Sequence, residues 1–514
     1  MYTATRGYTP VEDTGFRPRI TVVVPAKNEE EVIESVVRTV FQSDYPSSKM
    51  EVIVVDDGST DKTWERIQRV QNDSRFSERL VLLRHEKNYG KRVALASAVA
   101  RARGEMIVCI DSDSFVERDA IKLLVQPLED SSVAAVCGHG EAANRDEGFL
   151  PKLQHYWYAE MFRLVKGMES RLGVVGCCSG MLAAYRRSAI LPLVNQWLSE
   201  RDGASARLVE SGRSDASWLG RGLTGRLIKS PGEDRILTAF ALSGENARVV
   251  YQSNAIVHTI VPRTLRQFVK QQLRWNRAWM HGSLLAGRFM WKKSLAASTI
   301  FYLHQFLTFL TPAIVIYWLI LDPLQGAWMG TIGFLSGTLY MGLVHGLNTW
   351  SYRKTSLASV PYLMMFVPVS LFLTLTVLLY AWATPWKMGW VTRTGTGVKT
   401  PSAPEATAGS ATSSLHLRAL RLAGIIVSGA WARRAGGPGE FLFRLLVRLE
   451  HRTFDEAVPV CVSDRLGAVA DAELAVDVRQ VELHGLLGQP QLPGDLLVRV
   501  TGPECLQDRQ LPLR

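Results

Sequence analysis

Gln271-Gln272-Leu273-Arg274-Trp275 places an amide, a guanidinium and an indole at positions i, i+3 and i+4 of a predicted helix. Such positions share one face, so Gln271, Arg274 and Trp275 point the same way. A guanidinium beside an indole can hold a diphosphate with one group and stack a sugar ring on the other. The plainer reading is an amphipathic helix with its tryptophan in the core and its arginine at the surface. The pentad alone leaves that reading ahead, so the rest of the chain has to decide.

Three acidic motifs add to it. Asp56-Asp57-Gly58-Ser59 follows an apolar run and offers a carboxylate to a base N–H or ribose hydroxyls, with Gly58 allowing a tight turn. Asp111-Ser112-Asp113 ends a later run; extended backbone alternates its faces, so one Asp of the pair meets a metal directly. Oxygen-only ligands beside a diphosphate suit Mg2+ or Mn2+. Gly232-Glu233-Asp234-Arg235 supplies a third acid. Sugar transfer needs a carboxylate to take the proton of the attacking hydroxyl, and Asp234 is the candidate base. Each motif has an ordinary alternative: a turn with an N-cap, or a Glu-Asp pair favoured by the start of a helix.

The elements that must carry these residues alternate. Ile20-Thr-Val-Val-Val24, Glu51-Val-Ile-Val-Val55, Leu80-Val-Leu-Leu83 and Met106-Ile-Val-Cys-Ile110 read as buried strands, with helices over 30–42, 61–70 and about 91–103 between them. This alternation predicts an open α/β domain with a mostly parallel sheet. Ligands bind such sheets beyond the carboxyl ends of the strands, where the acidic motifs fall. Residues 1–19 form a polar arm without the apolar core of a signal peptide. The first domain, 20–262, is therefore expected in the cytoplasm.

Residues 263–397 hold three long apolar runs, Thr299 to Leu321, Gln325 to Leu347 and Val360 to Thr384, each long enough to cross a bilayer. Lys292, Lys293, Arg353 and Lys354 flank them as the positive-inside rule expects. Three full crossings would strand Trp390 to Arg393 outside, so one run, such as the Pro-containing Val360 to Thr384, is expected to be interfacial or re-entrant. The net charge of +11 suits anionic lipid and a negatively charged nucleotide, whereas no basic run interleaved with aromatics points to nucleic acid. The six cysteines follow neither zinc spacing nor a disulfide framework.

Taken in order, the motifs resemble family 2 glycosyltransferases of GT-A fold, in their processive membrane branch, closest to hyaluronan synthases and nodulation chito-oligosaccharide synthases. The carrying residues are Val24-Pro25-Ala26-Lys27-Asn28-Glu29, Val55 to Ser59, Asn88-Tyr89-Gly90-Lys91-Arg92 and Asp111 to Asp113. Cys178-Ser179-Gly180-Met181-Leu182-Ala183-Ala184-Tyr185-Arg186-Arg187, Gly232 to Thr238, Gln271 to Trp275 and Trp390-Val391-Thr392-Arg393 complete them. The resemblance covers about 18 to 395. It implies an inverting, processive hexosyltransferase of the plasma membrane, multi-pass, taking UDP-GlcNAc with or without UDP-GlcUA and exporting the polymer.

The same resemblance implies roles. Asp56 or Asp57 and Lys91 hold the UDP, with Asp111 and Arg274 beside it. Asp113, with Asp111, binds Mg2+ or Mn2+. Asp234 is the base, and Gln271 and Trp275 cradle the acceptor end of the growing polysaccharide. Trp390, Thr392 and Arg393 close over the nucleotide. The sequence departs from the hyaluronan synthases in lacking membrane helices ahead of residue 20, so another copy or another membrane subunit is expected to complete the path. A Gly-Pro-Leu segment of the family reads Gly180-Met181-Leu182 here.

After a Pro/Ala/Ser-rich linker at 398–415, residues 416–514 are expected to form a small β appendage behind a surface helix. Arg448-Leu449-Glu450-His451-Arg452 resembles the Arg-x-x-x-Arg of PilZ cyclic di-GMP receptors, though Glu482-Leu483-His484-Gly485 is a degenerate second element. A cellulose-like or mixed β-glucan synthase with a cyclic di-GMP-responsive tail is thus one alternative, and non-processive transfer to a lipid carrier another. A catalytically silent membrane scaffold or sensor is the alternative of a different class.

Overall fold

The computed structural model describes residues 8–201, 227, 232–353 and 357–385. The apolar runs form the strands β1 (Ile20–Ala26), β2 (Met50–Asp56), β3 (Leu80–Arg84) and β4 (Met106–Cys109). They continue with β5 (Ser114–Val116), β6 (Val133–Ala142), β7 (Ala183–Arg186) and β8 (Arg248–Thr259). All eight join one sheet in the order β3-β2-β1-β4-β7-β6-β8-β5.

The half built from β1 to β4 is parallel throughout, as the alternation predicts. Over the whole sheet four of the seven pairings are parallel, and the antiparallel ones all lie past β4. Strand β7 runs antiparallel to both β4 and β6, and β5 antiparallel to β8, while β6 and β8 are parallel. The reason is local: β7 is only four residues, fed by the Cys177–Gly180 loop rather than by a crossover helix. Strands β1 and β2 are buried almost end to end, with helices Ile33–Phe41 and Lys91–Arg101 packed against them.

The arm before residue 20 belongs to this domain. The Tyr8 hydroxyl donates to the Tyr251 carbonyl at 2.8 Å and its ring stacks on Tyr251 at 5.4 Å. Gln252 brackets Val11 by accepting from its N–H and donating to its carbonyl.

Helix Leu265–Ala286 opens with a capping box made by Thr264 and Gln267. Beyond it, among the described residues, two helices are long and apolar enough to cross a membrane: Leu295–Leu324 and Ser359–Ala383, with mean hydropathy 1.7 and 2.2. About one-fifth of each apolar window is buried by protein, and Leu303, Phe306, Phe309 and Phe372 are exposed.

The middle run forms helix Trp328–Arg353, which is less apolar because it is glycine-rich. A Cβ on Gly346 would lie 2.7 Å from Val360 Cα, and one on Gly342 2.7 Å from Val367. These glycines let two backbones approach closely. The run expected to be interfacial or re-entrant is one continuous helix from Ser359 to Ala383, with Pro368 inside it. The linker, the 416–514 appendage and the Arg448/Arg452 pair lie outside the described residues.

Candidate functional site

The site is built outward from the turn after β2. Asp57 is fully buried, and both its oxygens are engaged. Oδ1 meets His85 Nδ1 at 2.7 Å and accepts from Tyr89 N at 3.0 Å, while Oδ2 accepts from Gly90 N at 2.8 Å. Asp56, also buried, accepts from Ser59 N at 3.0 Å and lies 3.3 Å from Arg84 Nε. Gly58 has φ +67°, and a Cβ there would come within 2.6 Å of the Lys87 backbone. The Asp-Asp-Gly turn therefore grips the 87–90 loop. That loop ends at Gly90, φ +95°, where helix Lys91–Arg101 begins.

Lys91 is thus delivered to the centre of the site. Its Nζ lies 2.7 Å from Asp111 Oδ1 and 2.7 Å from Glu233 Oε1. Burial opposes its charge, but Asp111, Glu233 and Asp234 outweigh that and raise its pKa, so the ammonium is held protonated. Burial pushes the Asp111 carboxyl above its usual range; Lys91 opposes and Asp113 adds to the rise. Glu233 moves the other way: burial disfavours its charge, but Lys91 and, further off, Arg274 bring its pKa below the usual value.

Asp111, Lys91, Glu233 and Asp234 line one cavity with Pro25, Gly180 and Tyr185. Gly180 packs directly against the pair, since a Cβ there would sit 2.8 Å from Asp111 Oδ1 and 2.9 Å from Lys91 Nζ. Asp234 occupies the first turn of helix Glu233–Leu242, with Oδ1 accepting from Arg235 N at 2.8 Å and Oδ2 facing Cys177 Sγ at 3.6 Å. Asp113 Oδ1 accepts from Ser114 and Thr259 hydroxyls, both at 3.3 Å.

Among the described residues no group of three or more His, Cys, Asp or Glu is arranged to hold a metal. Asp111 and Asp113 offer carboxylate oxygens alone, the donor chemistry of a hard divalent cation that takes one or two protein carboxylates and completes its shell with diphosphate and water. Zinc or iron, which take several N or S ligands, do not fit.

Gln271, Arg274 and Trp275 lie together on helix Leu265–Ala286. Arg274 is exposed, and its charge acts on Glu233. Trp275 packs at ring distances of 6.1 Å from Trp157 and 6.2 Å from Tyr158. Trp157 in turn stacks on Phe366 of the Ser359–Leu373 helix at 4.7 Å. An aromatic row therefore leads from the pentad to the apolar helices. Gln271 Oε1 is buried with no hydrogen-bond partner. Trp390, Thr392 and Arg393 lie outside the described residues.

The sequence reading gives the motif's chemistry to Asp234 and no role to Glu233, which is the second carboxylate on Lys91. It also missed Lys166, whose Nζ meets the Cys177 carbonyl at 2.5 Å, the Ser179 hydroxyl at 3.0 Å and Cys137 Sγ at 3.1 Å. A lone lysine flanked by Phe162, Leu164 and Val165 was its only signal.

Residues 21–191 match the profile of Glycosyl transferase family 2. The chain is 35% identical over 284 residues to an N-acetylglucosaminyltransferase of Rhizobium meliloti, covering 54% of this chain and 59% of that one. It is 30% identical over 282 residues to a hyaluronan synthase of Streptococcus pyogenes serotype M3, covering 54% and 61%. The alignments thus span about three-fifths of these relatives. Among solved structures, a mannosyltransferase from Pyrobaculum calidifontis in complex with GDP-Man and Mn2+ is 21% identical, with TM-score 0.45, over 72% of this chain and 93% of that one.

Proposed function

We propose that this chain, whose residues 21–191 form a family 2 glycosyltransferase domain, is a membrane-embedded, processive, inverting β-glycosyltransferase that extends a polysaccharide from UDP-sugars. N-acetylglucosamine, alone or alternating with glucuronic acid, is the proposed unit, because the relatives above are named for N-acetylglucosamine transfer and hyaluronan synthesis. The observation that carries the reading is the convergence of Lys91, Asp111, Glu233 and Asp234 on one cavity, with the charge of Arg274 within reach of Glu233.

In this reading the diphosphate of the donor enters beside Lys91 and Asp111. Asp111 and Asp113 hold Mg2+ or Mn2+, which when bound supplies positive charge to the diphosphate. Asp234 takes the proton of the acceptor hydroxyl as its oxygen attacks the donor anomeric carbon from the face opposite the leaving UDP. Arg274 and Lys91 stabilise charge gathering on the diphosphate oxygens. Trp275 stacks the acceptor sugar, and Gln271 supplies a carbonyl oxygen to its hydroxyls. Asp57 acts through the loop it grips, setting Lys91, while Asp56 shapes the nucleotide edge of the same turn. Trp390, Thr392 and Arg393 are assigned to closing over the nucleotide, and the Trp157–Phe366 row to guiding the chain toward the bilayer.

The test is incubation of membranes carrying the full chain with single and paired labelled UDP-sugars and Mn2+ or Mg2+. Polymer degraded by chitinase or hyaluronidase supports the reading. Polymer cut only by cellulase would favour a β-glucan synthase, and a single sugar added to lipid would replace processive synthesis by simple transfer.

A further inference from the structure

Lys166 stands outside the cavity that holds the reacting groups, yet it anchors the segment that forms one wall of it. It ends a π-helical turn, Met161–Lys166, a helix form retained mostly at functional positions. Its side chain is buried, its ammonium lies 4.6 Å from the Phe162 ring, and three acceptors converge on it: Cys137 Sγ, the Cys177 carbonyl and the Ser179 hydroxyl. A buried cation with three partners is costly to assemble and strongly fixed once assembled. Burial works against a thiolate at Cys137, while Cys178 and Lys166 draw its pKa below the usual thiol value.

The segment so held is Gly176–Gly180. On its far side Cys178 N donates to the Thr238 hydroxyl at 2.8 Å, and that hydroxyl donates to the Asp234 carbonyl at 2.6 Å. Glu169 Oε2 accepts from Gly176 N at 3.2 Å. The side chain of Cys177 then meets Asp234 Oδ2 at 3.6 Å, and Gly180 packs against Asp111 and Lys91. The loop is therefore stretched between Lys166 on one side and the helix carrying Asp234 on the other.

We propose that Lys166 is a positioning residue for the transfer step, fixing the Cys177–Ser179 backbone so that the Asp234 carboxylate is held at its reactive orientation. This rests on Asp234 being the base. Asp57, Lys91 and Asp111 of the donor subsite are carried by other elements, and the held segment reaches them only through Gly180, beyond the Ser179 hydroxyl that Lys166 meets.

The experiment compares Lys166→Met, Lys166→Arg, Thr238→Val and Asp234→Asn in the full-length membrane protein, measuring kcat, donor KM, UDP binding and thermal stability. Misplacing a catalytic group by about 1 Å can cost about 100-fold in rate. Lys166→Met is expected to lower kcat by about 10- to 100-fold with donor KM and UDP binding within about twofold of the parent, and Lys166→Arg to recover part of the loss. Unchanged kcat in Lys166→Met, or a loss shared equally by kcat, UDP binding and stability, overturns the proposal. If Lys166→Met does not fold, Thr238→Val cuts the other support of the same loop and must give the kcat-only loss; parental kcat there overturns it. Asp234→Asn separates the two readings: if it transfers normally the base assignment fails, and if it is inactive while Lys166→Met is unaffected only the positioning role fails.

Discussion

Gly232 presses on Ala278: a Cβ added to the glycine would lie 2.5 Å from the alanine Cβ, and its φ of +104° disfavours any other residue. Ala278 is one helical turn beyond Arg274, and Glu233 and Asp234 directly follow Gly232. The contact therefore brings the helix start bearing Asp234 against the helix of the Gln-x-x-Arg-Trp pentad. Arg235 and Gly282 make a second contact one turn further along.

Gly232→Val should separate these two helices. The positive φ costs about 1–2 kcal/mol and the overpacking about 1–3 kcal/mol. Thermal unfolding and transfer assays should show lower stability and transfer reduced more than UDP binding. Adding Ala278→Gly should relieve the clash but not the backbone strain, giving partial recovery.

Lys91→Met leaves Asp111 and Glu233 facing each other across the cavity. Removing one partner of a buried ion pair costs about 3–5 kcal/mol; the Lys91 side chain is one-fifth exposed, so the low end applies. Donor binding should weaken by at least about tenfold by calorimetry. Glu233→Gln, which keeps a hydrogen-bonding oxygen on Lys91, should be milder in both stability and donor binding.

The fold domain should weaken in acid partly through Glu141. Burial opposes its charge, but His139 and Arg163 outweigh that and hold its pKa far below the usual carboxylate range. A carboxylate with a depressed folded pKa stabilises the fold above its unfolded value, about 4.3, and loses that contribution as pH falls through the folded value. The stability gap between the parent and Glu141→Gln should be constant above about pH 5 and shrink progressively below it. A gap that widens in acid would contradict the sign.

Packing of the apolar helices can be tested at Gly346, where a side chain would strike Val360. Gly346→Leu should loosen the pair and lower thermal stability in detergent, whereas the same change at Gly333, which faces open space, should be near neutral.

The parallel half of the sheet was legible because each strand is a short apolar run followed by a periodic helix. The antiparallel half was not: β5 is only three residues long, and the long strands β6 and β8 carry Gly, His, Gln, Ser and Asn among their apolar residues, so neither reads as an apolar run. Asp111, Asp234 and Lys91 were found because each sits in a short motif. Glu233 looked like a helix-start acid, and only the fold brings Lys91, more than a hundred residues earlier, to it. The Asp57 carboxylate is a loop anchor with both oxygens engaged, a distinction from its neighbour Asp56 that an Asp-Asp pair does not reveal. The run Gln325 to Leu347 read as a span by length; that Gly342 and Gly346 within it serve close helix packing needs the partner helix to be seen.

The central claim is that Asp234 removes the acceptor proton in a cavity where Lys91 and Asp111 hold the donor. Its most direct test is the rate of sugar transfer from UDP-GlcNAc by Asp234→Asn, measured beside UDP binding in the same preparation. The account predicts a rate reduced by about 10²- to 10⁴-fold with binding preserved. Transfer within about tenfold of the parent, at equal UDP occupancy, would contradict it.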